Sequence, residues 1–347
     1  MSSLPQRCPP LAADGAIAVL SPSMAGPAYV PAIPQQAMRR LRELTGRQVV
    51  EYPTTAQLHA SASARATDIS AAFDDPQIGA IMSTIGGNDL ITVLTHLDES
   101  AIVANPKPFF GYSANTHLHN WLWQRSIASF YGGSTQVHLG TGPKVDREHS
   151  TSLLAALNGG DLEIKATATS EDYGIEWSDP RALTHTGERT LPEPWRWSGP
   201  EKTVRGHTWG GCVEVLVEIL IADRFRADHL LDGAILLLET SEEILPPPTF
   251  GTWLRALGER GILARLADVI FARPPATSFG YNPPLATQAS YRRCLAELVE
   301  AVMQDYNPQA VVCCGLPCGH TRPQWILPYG GQVTLDGTRQ RLWAHYR

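Results

Sequence analysis

The chain has 347 residues, a formal net charge of -6, 43% hydrophobic residues and 18% charged residues. That length suggests two domains, and the composition excludes a disordered or supercharged chain because it is rich enough in apolar residues for real cores. The mild acidity argues against a nucleic-acid polymer as partner, since the densest basic clusters, Arg39-Arg40 and Arg292-Arg293, sit inside helical patterns and read as solvated faces.

The opening MSSLPQRCPPLAADG lacks the apolar run of a secretory signal. The apolar stretch Gly233–Leu238 is far too short to span a bilayer. A cytoplasmic location with no membrane partner is therefore expected. Along the chain, Ala16–Leu20 reads as a strand, residues 35–44 as a helix, residues 48–52 as a strand and residues 63–73 as a helix. Residues 80–85 read as a strand ending in Gly86-Gly87, residues 90–97 as a helix, residues 107–112 as a strand and residues 116–130 as a helix. Strands and helices alternating at this spacing imply a parallel sheet covered on both faces. Residues 1–166 are thus expected to form an N-terminal doubly wound α/β domain.

Residues 167–205 are rich in Trp, Pro, Ser, Thr and Glu without sustained period, and read as a linker with an extended surface loop. A second domain, residues 206–347, is expected to be a smaller α/β unit. Its pattern is a helix at 211–221, a strand at 233–239, a helix at 250–257, a strand at 266–272, a long helix at 286–303 and a strand at 310–315. A closing β-hairpin around Asp336-Gly337 follows, from residues 332–335 and 340–345.

Four places carry candidate chemistry. Ser113 follows the apolar run Phe109–Tyr112 and precedes a helix, which is the layout of a nucleophile elbow; the plainer reading is a serine near a helix N-cap. Asn115 stands where the second glycine of a G-x-S-x-G pattern would be. Gly86-Gly87, followed by Asn88 and Asp89, lets backbone approach a ligand at a strand's carboxyl edge, or makes a plain turn with a polar cap. Glu239 ends an apolar strand, with Glu242 and Glu243 as rivals for orienting a histidine. His320, in the Gly/Pro loop after Cys313-Cys314, suits a general base. His117 and His119 are rivals that helix geometry turns away from the serine or onto separate faces. Cys313, Cys314, Cys318 and His320 invite a metal reading, but adjacent cysteines in an apolar run read better as a buried strand, so no metal and no cofactor are expected.

Together, FFGYSANTHLHNWLW, LLLETSEE and GLPCGHTRP with QWILPYGG closely resemble the family of LD-carboxypeptidases and microcin C immunity proteins. RATDISAAFDDPQIGAIMSTIGGND and TWGGCVEVL resemble that family's segments before its Gly-Gly turn and between its domains. The resemblance runs from about Gly15 to Asp336. It implies a serine hydrolase that cleaves an amide or peptide bond through a triad in the order Ser113, Glu239, His320. It also implies an oxyanion hole from backbone N–H groups of Gly87, or its neighbour Gly86, and Ala114. The family usually has Asp directly after the nucleophile. Ala114 keeps the backbone donor and loses that side chain, which leaves the substrate open.

Two branches are implied. One trims murein tetrapeptides as an LD-carboxypeptidase. The other, favoured by the HLHNWLW helix and the Trp-bearing insert, detoxifies peptidyl- or aminoacyl-nucleotides as a microcin-immunity-like peptidase. In that branch Trp195 or Trp197 stacks on the nucleobase, the alternative being that they pack the loop onto the second domain. Substrate contacts are expected at Asn88, Gly210 and Gly211 besides these tryptophans. The resemblance also implies a homodimer. An alternative of another class is a non-catalytic protein that sequesters the same small molecules.

Overall fold

The computed structural model describes residues 15–346. The reading of the opening segment and residues 1–14 of the expected N-terminal domain lie outside the described residues. The strands are β1 (Ala16–Leu20), β2 (Val49–Glu51), β3 (Ile78–Ser83), β4 (Phe109–Gly111), β5 (Ser129–Tyr131), β6 (Asp161–Ile164) and β7 (Arg196–Ser198). Then come β8 (Thr203–Cys212), β9 (Ile235–Glu239), β10 (Asp268–Ala272), β11 (Val311–Leu316), β12 (Leu327–Tyr329), β13 (Gln332–Asp336) and β14 (Arg341–His345). The α-helices are α1 (Ala32–Thr45), α2 (Ala62–Asp74), α3 (Glu99–Ala104), α4 (Thr116–Trp123), α5 (Arg147–Asn158), α6 (Val213–Ile221), α7 (Pro247–Glu259) and α8 (Leu285–Tyr306).

The first sheet has the order β12-β5-β4-β3-β1-β2 and is parallel from β2 to β5. β1 is buried along its whole length because both faces are covered. Ile17 and Val19 pack with Met38 and Leu41 of α1. Ala18 and Leu20 pack on the opposite face with Ala66, Ile69 and Phe73 of α2. This is the doubly wound arrangement expected from the alternating pattern. Strand order reverses between β1 and β3, so the loops after these strands diverge and leave a crevice at the carboxyl edge.

The second sheet has the order β6-β14-β13-β8-β9-β10-β11-β7. β8, β9, β10 and β11 are parallel, and the outer strands on each side are antiparallel. β13 and β14 form the hairpin expected at the C-terminus. The two sheets exchange strands. β12 follows the second sheet's strands in sequence yet pairs with β5, and β6 pairs with β14. One continuous core therefore runs from Phe110 and Trp123 to Trp209 and Tyr329. Among the described residues no helix is long and apolar enough to cross a membrane.

Several elements differ from expectation. Residues 90–97 form two 3-10 turns, Leu90–Thr92 and Leu94–His96, rather than a helix. The helix expected over 116–130 stops at Trp123; Ser126 has a positive φ of 61°, and Ser129–Tyr131 is a buried strand beside β4. An apolar run shared by a helix and a strand has no internal boundary that periodicity detects. The helix expected from Gly211 starts at Val213, because Gly210 and Gly211 finish β8 at φ of 136° and 114°. Within residues 167–205, Arg196–Ser198 forms an edge strand on β11. Helix α5 and strand β6 were not anticipated; α5 carries a short apolar stripe of Leu153, Ala156 and Leu157.

Candidate active site

β4 is short and delivers the chain into a tight turn. Ser113 sits at φ 61°, a left-handed conformation that costs a non-glycine residue on the order of 1–3 kcal/mol. A 3-10 turn, Ser113–Asn115, then leads directly into α4. Asn115 holds this turn to the end of β3: its Nδ2 donates to Tyr112 O (2.9 Å), Ser83 Oγ (3.2 Å) and Ile85 O (3.3 Å). The residue that breaks the G-x-S-x-G pattern is thus a buried tie between two loops. Gly86 packs on the Ser113 turn so closely that a Cβ there would lie 2.8 Å from Ser113 Cβ and 3.4 Å from Ala114 N. Only a glycine brings that backbone so near both groups.

Glu239 ends β9 and is buried. His320 lies in the loop after β11, and its Nδ1–H donates to Glu239 Oε2 at 2.6 Å. Gly319, at φ 72°, leaves the space the Glu239 carboxylate fills. The second carboxylate oxygen, Oε1, accepts from Tyr131 Oη at 2.6 Å. Tyr131 Oη in turn accepts from Ser113 N–H at 3.3 Å, so one tyrosine links Glu239 to the Ser113 turn. Burial pushes the His320 imidazole down. The Glu239 charge and hydrogen bond, aided by Glu242, more than reverse this and hold it at about 9. Burial raises Glu239 above its ordinary value, with His320 and Tyr131 opposing the rise. The Tyr112 ring meets the His320 ring edge-on, 4.9 Å between centroids.

Ser113, Ala114 and His320 open onto one cleft of about 870 Å³, with Gly86, Gly87 and Asn88 on its wall. It lies at the carboxyl edge of the first sheet, beside the reversal between β1 and β3. Asp89 clamps this wall: Arg65 donates to both its oxygens (2.9 and 2.7 Å), and Ser23 Oγ donates to Oδ1 (2.7 Å). The Arg65 bonds, then the Ser23 bond, hold the Asp89 carboxyl below its ordinary value despite partial burial.

The rival residues are occupied otherwise. His119 is buried between Ser129 Oγ (2.7 Å) and Gly111 O (2.8 Å), and burial lowers it to about 3. His117 Nε2 meets Glu218 Oε2 at 3.0 Å. Glu242 Oε2 lies 3.3 Å from His320 Nε2, the ring nitrogen that Glu239 does not contact, and Glu243 lines the cleft. Cys313 and Cys314 are buried in β11, and burial raises both thiols.

Other predicted substrate residues stand elsewhere. Gly210 and Gly211 lie behind the cleft, joining the two units: Tyr329 Oη donates to Gly210 O (3.1 Å), and a Cβ on Gly211 would lie 2.6 Å from Thr116 Cγ2. Cys212, the next residue, lines the cleft. Trp197 is on β7, opposite Cys313, and Trp195 packs on Gly315; neither lines the cleft. The insert instead sends Tyr173 and Trp177 into it. Trp177 and Tyr131 were not singled out in the sequence. Tyr131 lay inside a run read as helix, and nothing in local pattern separates Trp177 from its neighbours.

Family models decide the assignment. The LD-carboxypeptidase N-terminal domain model matches residues 17–132, and the LD-carboxypeptidase C-terminal domain model matches residues 205–335. The chain belongs to the LD-carboxypeptidase family. A putative carboxypeptidase of Vibrio cholerae is 27% identical over 327 residues, covering 92% of each chain. The microcin C7 self-immunity protein MccF of Escherichia coli is 26% identical over 276 residues, covering 78% of this chain and 75% of that one. Among solved structures, MccF in complex with aspartyl sulfamoyl adenosine has a TM-score of 0.82 at 22% identity, covering 98% of each chain. An MccF-like protein from Streptococcus pneumoniae in complex with AMP has a TM-score of 0.80 at 22% identity, over 96% of this chain and 99% of that one. This LD-carboxypeptidase family member thus shares its two-unit fold with MccF.

Proposed function

We propose that this LD-carboxypeptidase family member is a serine-type amide hydrolase of the microcin-immunity kind, cleaving the bond between an aminoacyl or peptidyl group and a nucleotide. The observation that carries the reading is the buried Glu239–His320 pair, 2.6 Å apart, opening onto the same cleft as a serine held at positive φ. His320 takes the proton of Ser113 Oγ as the oxygen attacks the scissile carbonyl. Glu239 holds the imidazole by Nδ1 and balances its charge. The N–H groups of Gly86 or Gly87 and of Ala114 receive the oxyanion, aided by the start of α4. His320 then protonates the leaving nitrogen, and water clears the acyl-enzyme. Only residues of the chain take part, and no cofactor or metal enters the scheme.

For the nucleotide, support comes from relatives whose structures hold AMP or aspartyl sulfamoyl adenosine, and from an aromatic in the cleft. We assign the stacking role to Trp177 rather than Trp195 or Trp197, because it lines the cleft and they do not. The family resemblance extends the proposal to a homodimer. Relatives named as putative carboxypeptidases support a second reading, a murein LD-carboxypeptidase. The test is turnover of alanyl sulfamoyl adenosine and of murein tetrapeptide by the native protein and Ser113→Ala. The proposal expects the nucleotide compound to be cut and Ser113→Ala to be inert. Cleavage of tetrapeptide alone moves the protein to the other branch, binding without turnover makes it a sequestering protein, and full activity in Ser113→Ala ends the mechanism.

A further inference from the structure

The proposed base has a carboxylate beside each ring nitrogen. Nδ1 of His320 is engaged by Glu239 at 2.6 Å, and Nε2 lies 3.3 Å from Glu242 Oε2. Among the described residues, Ser113 and His320 share no hydrogen bond. Nδ1–H is hydrogen-bonded to one carboxylate and Nε2 lies at ion-pair distance from a second, and two carboxylates so placed favour the imidazolium, which carries both protons. In that form it has no lone pair for the Ser113 proton. Glu239 is buried and fixed. Glu242 is different: its side chain is 59% exposed, and His320 is its ion-pair partner.

The rest of the cleft narrows what can take Glu242 away. Glu214 is already engaged by Ser241 N and Oγ at 2.9 and 2.8 Å and by Cys212 Sγ at 3.0 Å. Glu218 faces His117. The two arginines lining the cleft are committed, Arg65 to Asp89 and Arg322 to Asp146 and Glu171. Among the described residues no lysine and no further arginine lines the cleft to compete for Glu242, so the cation that does is sought on the substrate.

We propose that Glu242 gates the base and reads the acyl half of the substrate, releasing His320 Nε2 when a free α-ammonium group beside the scissile carbonyl takes its carboxylate. This rests on the aminoacyl-nucleotide reading above. The chemistry fits by position. Nε2 must reach the Oγ that attacks the carbonyl, and an α-ammonium is one carbon from that carbonyl. When the ammonium engages Glu242, the Nε2 proton passes to water, and the freed lone pair accepts the Ser113 proton. An N-acylated substrate, a peptidyl-nucleotide included, has no such cation and leaves Glu242 on the imidazole, so the gate narrows the function proposed above to a preference for aminoacyl over peptidyl nucleotides. The groups facing the imidazole are Glu239 from the end of β9, Glu242 from the following loop, Glu214 from α6, the Tyr112 ring, and His138 and Arg322 from the cleft floor. Glu242 is the one of these that contacts Nε2.

The experiment compares alanyl sulfamoyl adenosine with its N-acetyl form, in the native protein and in Glu242→Gln. Turnover is followed across pH, and the His320 midpoint is followed by NMR in the free proteins. The native protein should prefer the free amine by roughly 10–100-fold in kcat/KM, the scale of one charge-assisted hydrogen bond. Glu242→Gln should lose most of that preference, and both its His320 midpoint and the acid limb for the N-acetyl compound should move to lower pH. An undiminished preference in Glu242→Gln overturns the gate while leaving the hydrolase reading intact. An unmoved His320 midpoint does the same. If the native protein neither binds nor cuts either compound, the substrate reading falls and takes the gate with it. Ser113→Ala serves as the control for turnover.

Discussion

At the scale of single residues, the site depends on Glu239, Glu242 and the Tyr112 ring around one imidazole, and on Tyr131 behind Glu239. Tyr131 is the least obvious member, since its hydroxyl donates to Glu239 and accepts from the Ser113 amide. Tyr131→Phe leaves the ring's packing and removes the donor, so a buried carboxylate loses one of its partners. Turnover should fall by roughly 10–100-fold with KM little changed, which steady-state kinetics on the sulfamoyl substrate would read. His320 also links pH to stability. Its value of about 9 in the folded protein lies above the ordinary 6.5. Its stabilising contribution is therefore complete below about pH 6.5 and is lost as pH rises through about 9. Urea midpoints should fall across that window in the native protein and fall less in His320→Gln.

At the scale of elements, the strand ends do the positioning, and glycine decides how closely they approach. Gly319 is the sharper case because its φ of 72° and the nearby Glu239 carboxylate both oppose a side chain. Gly319→Ala should cost about 2–4 kcal/mol, the sum of overpacking and left-handed strain. Gly46, which ends α1 at φ 68° with open space around it, is the control. Gly46→Ala should cost about 1 kcal/mol, backbone strain without a clash. Equal losses in urea unfolding would mean the Glu239 contact contributes nothing.

At the scale of the whole molecule, the insert over residues 167–205 is fastened by buried charge. Asp172 accepts from Arg273 Nη1 and Arg292 Nη2, each at 2.6 Å, and from Ala276 and Thr277 backbone amides. Glu193 pairs with the same two arginines. Burial opposes ionisation of Asp172, yet the two guanidinium groups and the amides hold its carboxyl below the ordinary value. Asp172 is followed by Tyr173 and Trp177, which line the cleft. Asp172→Ala strands two buried arginines, and a loss of about 3–5 kcal/mol is expected. Calorimetry checks the stability. Weakened binding of AMP checks that the network carries the cleft wall.

Alternating strand and helix patterns were enough to specify a doubly wound first unit, because period and strand composition report burial on both faces. Strand ends marked Ser113, Glu239 and His320 only as candidates among rivals such as Glu242 and His117, and the resemblance of the ordered motifs to a family singled out the three. What only the tertiary structure decided is which groups meet across the fold. Ser126 turns the chain between α4 and β5, so Tyr131 reaches Glu239, 108 residues away. The tryptophans Trp195 and Trp197 pack on β11 while Trp177 enters the cleft, a choice made by the docking of the insert through Asp172. Glu242 contacts His320 through the turn after β9, which brings it to the exposed nitrogen after Glu239 has taken the other. Local sequence records side-chain type and period; contacts over such distances depend on sheet order, and sheet order emerges only when the two units share one core.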